Sequence, residues 1–357
     1  MGTAAPERTT FVSDAVMMRA ARIHAYGGAD QFKIESIPRP EVRPNDVLIQ
    51  IHASSINPID YKMRSGAQRA VIRRKLPTTL GMDVSGVVAA VGADVTAFNV
   101  GDAVFSSPTH KRDGTYAEYV AVDAAEVAMK PTSITHVEAA SLPLVGLTAW
   151  GCLVDAGKLK PGQTVLIQAG AGGVGTFAIQ LAKHRGATVA TTCSARNEAL
   201  VRSLGADIVV DYNKARYEEV LEPQDVVLEA LGGEHIGRGI KTLKRGGTLA
   251  SINSGIVPAA KRYGAYLGIL VVAFGIAWMK LKAKFTKGAS ASVVVRASSG
   301  EKLAQIAALV DAGKIRPVID RQFPLDAIAE AHGFLETGRA QGKVIIEVIS
   351  EDSPVTS

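Results

Sequence analysis

Residues 164–183 read TVLIQAGAGGVGTFAIQLAK, and the six at 170–175, GAGGVG, satisfy G-x-G-x-x-G through Gly170, Gly172 and Gly175. In a chain with 35 glycines the pattern by itself is weak. Its context is the informative part: an apolar strand-like run, TVLIQA, enters the turn and an amphipathic helical run, TFAIQLAK, leaves it. Glycine is needed there because the turn is tight, the backbone must approach a pyrophosphate, and the helix must pack closely on the strand. The helix N-terminus then presents free N–H groups to the anion.

Downstream of this turn, strand-like and helical runs alternate. ATVATTC (187–193) precedes NEALVRSLG (197–205), DIVVDY (207–212) precedes a polar link, DVVLEAL (225–231) precedes IGRGIKTL (236–243), and GGTLASI (246–252) closes the series. Repeated β-α units imply a parallel, doubly wound sheet. Upstream, AASLPLVGLTAWGCLVDAG (139–157) reads as helical. Earlier still, RAARIHAY (19–26), FKIESIP (32–38), DVLIQIHASSI (46–56), DVSGVVAAV (83–91) and YAEYVAV (116–122) are short β-rich segments between turns. Their spacing predicts a barrel or sandwich. After a strand-like SVVVRA (292–297) come helical EKLAQIAALVDAG (301–313), extended IRPVIDRQFP (315–324), helical DAIAEAHGFLETG (326–338) and a last strand, KVIIEVI (343–349). That strand resembles the N-terminal ones, so the first domain is expected to be discontinuous. The expected division is 18–142 for the first domain, 143–297 for the dinucleotide-binding domain and 298–350 for the return, with 1–17 and 351–357 as frayed ends.

A length of 357 residues suits two domains, and 47% apolar with 21% charged residues is ordinary globular material. The net charge of +6 favours anionic ligands of several kinds and chooses among none of them. Aromatics make up 5% of the chain and basic-aromatic RNA motifs are absent, so no nucleic-acid partner is expected. Cys152 and Cys193 stand far apart with no His or Cys at ligand spacing, which excludes a disulfide framework and a thiolate zinc cluster and agrees with a reducing compartment. The first 17 residues carry Glu7 and Asp14 and no basic region followed by an apolar run, so a cytoplasmic location is expected. One apolar stretch, AYLGILVVAFGIAWM (265–279), is flanked by Lys261, Arg262, Lys280, Lys282 and Lys284. It is short for a hydrocarbon core of about 30 Å and is expected to be a buried or pocket-covering helix; weak membrane-surface contact through 261–284 is the alternative.

The second strand of the sheet bears on the dinucleotide. An NAD site places an acid about 20 residues beyond the turn to bind the ribose hydroxyls. Here the strand ends TTCSARN, with no acid before Glu198. Ser194 can hydrogen-bond a 2′-phosphate and Arg196 can pair with it, which favours NADPH. The plainer alternative has Ser194 capping the next helix and Arg196 solvated.

Taken in order, INPIDYKMRSG (56–66), LGMDVSGVVAAVG (80–92), VGDAVF (100–105), LPLVGLTAW (142–150), AGAGGVGTFAIQLAK (169–183), LVRSLGADIVVDY (200–212), DAGKIRPVIDRQFP (311–324) and GRAQGKVIIEV (338–348) make the chain similar to the medium-chain dehydrogenase/reductase superfamily. Within it the chain resembles the zinc-free quinone oxidoreductases, the reticulon-4-interacting protein branch above all. The resemblance implies an α/β architecture, a GroES-like β-barrel catalytic domain plus a Rossmann domain, with the nicotinamide in the cleft between them, and a homodimer. Zinc-dependent members carry a Cys near Pro58 to Asp60, a His-Glu pair where this chain has Met82-Asp83, and often a cysteine-rich lobe where it has FSSPTHKRDG (105–114). A catalytic zinc needs three protein ligands, so no zinc is expected. The same resemblance places Asn57 and Tyr61 in the cleft, Thr148 near the nicotinamide, and Gly172, Gly173 and Val174 on the pyrophosphate. It puts Tyr212 beside the adenosine phosphate, Arg339 on the cofactor, and Asn253, Ser254 and Gly255 at the carboxamide. Asn197 departs from relatives that carry a Lys for the 2′-phosphate.

Without a metal to polarise a carbonyl, simple alcohol oxidation is poorly supported. Hydride transfer from NADPH to a hydrophobic quinone or an α,β-unsaturated carbonyl needs only orientation, water exclusion and a few donors. Tyr61 is the candidate donor or proton source, with Asn57 positioning the ring; a packing role for Tyr61, with solvent supplying the proton, is the alternative. An enoyl-thioester reductase of the same fold and a non-catalytic dinucleotide-responsive binding protein are the competing functions. Asp83, between Gly81 and Gly86, is expected to be an orienting carboxylate bonded to N–H groups of its own turn.

Overall fold

The structure, a computed structural model, describes residues 16–349 apart from 70, 71, 111, 113 and 254. The ends expected to fray lie outside it except for Val16 and for Met17, which already belongs to the first strand. That strand, β1 (Met17–Ile23), pairs antiparallel with β2 (Phe32–Pro38). It is followed by β3 (Asp46–Ile56), the two-residue β4 (Thr78–Thr79), which pairs with the end of β1, then β5 (Val84–Val91), β6 (Ala103–Ser106), β7 (Tyr119–Asp123) and β8 (Val127–Met129). All eleven residues of β3 are buried, because β5, β7 and a strand from the far end of the chain all pair with it. Gly86 lies within β5 and not in a turn, and a Cβ there would meet the Gln50 carbonyl oxygen at 1.9 Å. Only glycine lets the two backbones come that close. Helix α1 (Pro58–Arg64) leaves β3, with Pro58 in its first turn, where a missing N–H costs nothing.

Two short helices, α2 (His136–Ala140) and α3 (Pro143–Trp150), lead into the second domain. There β9 (Thr164–Ile167), β10 (Thr188–Cys193), β11 (Ile208–Asp211), β12 (Gln224–Glu229), β13 (Leu243–Ser251) and β14 (Ser290–Val293) form one sheet in the order β11-β10-β9-β12-β13-β14, every pair parallel. Its helices are α4 (Gly173–His184), α5 (Glu198–Ser203), α6 (Tyr217–Val220), α7 (Glu234–Thr242), α8 (Ile256–Tyr263) and α9 (Ala265–Lys287). The chain passes from β9 outward to β11 and then returns to β12, so strand order reverses between β9 and β12. The carboxyl ends of those strands make the crevice where such sheets bind ligands. The strand expected at 292–297 starts two residues earlier and stops at Val293; beyond it Arg296 turns to the Ser107 and Pro108 carbonyls.

After α10 (Gly300–Asp311) the chain re-enters the barrel. Strand β15 (Ile319–Pro324), helix α11 (Ile328–Glu336) and strand β16 (Lys343–Glu347) complete it, with β16 between β15 and β3 and Val344 opposite Ile56. One apolar core lies under the parallel sheet around Phe177, Ile167 and Leu153, and another fills the barrel around Ile49, Ile51, Val84 and Val104.

The apolar stretch expected to be buried is only half so. Helix α9 runs through Lys287, eight residues past the predicted end, and packs Met279 and Ala283 on the sheet, while Phe274 is 74% exposed and Phe285 80%. The sheet can cover one face of a helix, and among the described residues nothing covers the other. A groove of about 490 Å³ runs between α9 and α7, lined by Val272, Ile276, Met279, Ile240, Asn253 and Gly255.

Candidate active site

Where barrel and sheet meet, a buried polar network gathers residues from four elements. Asp83 is fully buried and accepts from four donors. Its Oδ1 takes the Leu144 backbone N–H of α3 at 2.7 Å; its Oδ2 takes the Ser55 hydroxyl at 2.6 Å, Asn57 Nδ2 at 2.7 Å and the Lys343 ammonium at 3.3 Å. These donors come from β3, the residue after it, α3 and β16. The expectation that its own turn supplies them is corrected: Asp83 is a tie between elements. Lys343, also buried, donates to Asn57 Oδ1 at 2.5 Å and to the Ile56 carbonyl at 3.2 Å. Burial pushes the Lys343 ammonium down from its usual range, while Asp83 and Asp60 hold it up.

Asn57, the residue before α1, spends both ends of its amide on this network. Asp60, one turn on, accepts the Asn57 backbone N–H at 2.8 Å and the Tyr116 hydroxyl at 2.9 Å, and burial pushes its carboxyl up to about 7. Tyr61 is half-buried on the same helix, and its hydroxyl has no hydrogen-bond partner among the described residues. Burial, and then the charge of Glu336, raise its pKa. It therefore stays protonated at neutral pH, as a donor must. Arg64, buried beneath α11, anchors the helix by hydrogen-bonding His332 Nδ1 at 3.0 Å and pairing with Glu336.

The glycine turn lies against the same network. Gly342 donates its N–H to the Ala171 carbonyl at 2.8 Å, and a Cβ on Gly173 would come within 2.9 Å of Lys343 Cδ. The glycines divide by cause. A Cβ on Gly170 would strike Thr191 Oγ1 at 2.1 Å, and one on Gly175 the Ala169 carbonyl at 2.3 Å, so packing inside the fold demands both. A Cβ on Gly172 would meet only the Ala169 carbonyl, at 3.4 Å. That space is a cradle open to a ligand, and the N-terminus of α4, starting at Gly173 and Val174, points into it. A diphosphate fits this arrangement.

At the end of β10 the sequence-derived residues converge. Arg196 donates to the Arg339 carbonyl at 3.2 Å, and Asn197 Oδ1 accepts from Gln341 Nε2 at 2.7 Å, so GRAQGK faces the Ser194–Asn197 loop. Ser194 makes no capping bond to the turn after it. Tyr212 follows β11 and is 60% exposed. Thr148 in α3 gives its hydroxyl to the Leu144 carbonyl at 2.7 Å. Across the crevice Asn253 bridges the Leu231 carbonyl and the Gly255 N–H, both at 3.1 Å; Ser254 lies outside the described residues. Below them sits a carboxylate not anticipated from sequence. Buried Glu229 accepts from the N–H groups of Leu231 and Gly232 and from Ser251 Oγ, and so fixes the carboxyl ends of β12 and β13. Lys343 was missed as well. A cation heading the run KVII is visible in the sequence, but the acid it serves lies 260 residues away and only the fold supplies it.

A GroES-like barrel closed by β16 and joined to a parallel sheet with an open glycine turn at its switch point is the architecture of a nicotinamide-dependent oxidoreductase. Residues 43–132 match the alcohol dehydrogenase GroES-like domain and residues 204–346 the zinc-binding dehydrogenase model. The mitochondrial NAD(P)H oxidoreductase RTN4IP1 of Homo sapiens is 40% identical over 327 residues, covering 86% of this chain and 82% of that protein. The chloroplastic NADPH-dependent alkenal/one oxidoreductase of Arabidopsis thaliana is 36% identical, covering 92% and 79%. The quinone oxidoreductase structure from Coxiella burnetii superimposes with a TM-score of 0.81 at 35% identity, covering 93% of this chain and all of that one. The chain belongs to the medium-chain dehydrogenase/reductase superfamily and fits its quinone oxidoreductase group; it is an NAD(P)H oxidoreductase.

Proposed function

We propose that this protein is a zinc-independent, NADPH-dependent reductase that delivers hydride to a quinone or to the β-carbon of an α,β-unsaturated carbonyl. The observation that carries the reading is the coordination of Asp83. Its lone pairs are taken by a hydroxyl, an amide, a backbone N–H and an ammonium. Three of these donors crowd Oδ2 and the fourth holds Oδ1, and Lys343 already supplies the positive charge that a cation would bring. NADPH, when bound, supplies the hydride, and a conjugated acceptor spreads the developing negative charge onto oxygen. Tyr61, held protonated, donates a hydrogen bond or the proton to that oxygen. Asn57 acts one step back, by fixing the start of α1. Gly172, Gly173, Val174 and Gly175 hold the diphosphate, Ser194, Arg196 and Arg339 the 2′-phosphate, and Tyr212 the adenosine side. Thr148, Asn253, Ser254 and Gly255 seat the nicotinamide.

A homodimer is part of this reading, supported by β14, which has no strand on its outer side among the described residues. A reducing compartment such as the cytoplasm is supported by the two cysteines, both free and buried. The test is oxidation of NADPH and NADH across quinones, enones and crotonyl-CoA, with metal analysis of the same sample. Turnover of quinones or enones by metal-free protein is expected. Turnover confined to the thioester, or dependent on zinc, overturns the reading. Arg196→Gln should raise KM for NADPH about tenfold and leave that for NADH unchanged.

A further inference from the structure

Helix α9 buries one apolar face and exposes another. Leu267, Leu270, Phe274, Trp278, Leu281 and Phe285 are 48–80% exposed. At 100° per residue they fall within an arc of about 80°, a continuous stripe opposite the face that holds Met279 and Ala283 on the sheet. Exposed large residues scattered singly need no explanation, whereas six in one row mark a contact surface.

The charges around the stripe say what it meets. Lys284 borders one side of it and Lys282, whose ammonium reaches toward Gly237 of α7, the other; Lys280 and Lys287 lie farther round the helix, and none of the four has an acidic partner among the described residues. The imbalance extends further. Residues 235–300 contain eleven Lys and Arg and no Asp or Glu, while the whole chain is only +6, so the rest of the molecule is net negative. Arg238 and Lys244 in this segment are ion-paired, and Arg296 is turned inward; the helix lysines are not so engaged. A second copy of the helix fits poorly, since α9 carries lysines and no acid, so two copies laid side by side have no acid to offset the repulsion.

We propose that α9 is a docking surface for an anionic phospholipid membrane, lying flat in the headgroup region with its aromatic stripe inserted and its lysines on the phosphates. No described helix is long and apolar enough to cross a membrane, so the contact is peripheral. The proposal concerns attachment alone and stands whatever the enzyme's acceptor is.

The experiment is co-sedimentation of the full chain with phosphatidylcholine vesicles and with vesicles carrying ~30% phosphatidylserine. Partitioning about tenfold stronger on the anionic vesicles is expected, lost at high salt, with a blue shift in tryptophan emission that Trp278→Phe removes. Phe274→Ser with Phe285→Ser, and separately Lys280→Gln with Lys284→Gln, should each lower partitioning about tenfold while thermal unfolding and NADPH oxidation stay as they were. Equal or absent binding to both vesicles overturns the proposal. So does dissociation of an oligomer by the Phe274/Phe285 pair without loss of vesicle binding, which would make the stripe an interface between copies.

Discussion

Asp83 and Lys343 stand 260 residues apart in sequence and 3.3 Å apart in the fold. Neither can lose its partner cheaply, because an unpaired charge would remain where no water reaches it. Lys343→Met should cost about 3–5 kcal/mol in chemical denaturation, and the double variant Lys343→Met/Asp83→Asn less than the single one. Asp83→Asn leaves the buried Lys343 ammonium without its counter-ion, so it should lower stability as well, and should raise KM for the cofactor more than it lowers kcat; a selective loss of kcat with stability intact would instead assign Asp83 to the chemical step. Asp60 gives a pH signature. Its carboxyl, at about 7 in the fold, titrates near 3.9 in an unfolded chain. Between those values the folded state holds a proton that the unfolded state has released, so stability falls as pH rises from about 4 to about 7. Melting curves of Asp60→Asn across that range should show a shallower decline than those of the unsubstituted protein. At this scale the sequence was uneven ground. Asn57 and Tyr61 could be singled out through the family resemblance carried by INPIDYKMRSG, and no local signal at 56–66 foretold the helix that holds Tyr61. Lys343 and Glu229 could not be given roles, since a charge inside an apolar strand acquires meaning only from the partner that folding brings to it.

The glycine turn is the element most fully readable beforehand, because its requirements are local: a strand, a tight turn and a helix in sequence. The structure separates the three glycines in a way no pattern could. Gly175→Ala would drive a methyl into the Ala169 carbonyl and should yield little folded protein. Gly172→Ala has room, so its melting temperature should stay within a few degrees while Kd for NADPH rises about tenfold or more, measured by fluorescence titration. Helix α9 shows the opposite limit. Its apolar run predicted burial, yet burial depends on what lies on either side, and the sheet lies on one side only.

For the molecule as a whole, the alternation of strands and helices predicted the parallel sheet, and the likeness of the last strand to the first ones predicted its return. The sheet order and the clasp between Gly342 and Ala171 depend on long-range pairing and were not readable. Because barrel and sheet share that clasp, a ligand in the cleft should stabilise both. NADPH at about 100 times its Kd should add about 2.7 kcal/mol, seen as one raised transition in calorimetry and not as a shift in one of two. The position of β16 also constrains how the protein is made. Lys343 and the Ile56 carbonyl it contacts lie 287 residues apart. At about 5–20 residues per second a ribosome needs roughly 15–60 s to span that distance. During that time β3 is emerged and lacks the neighbour that will close it, so the nascent chain must be shielded from pairing with other strands until the final segment is released. A product ending between residues 293 and 343 would carry every strand of the parallel sheet with no Lys343 to face Asp83.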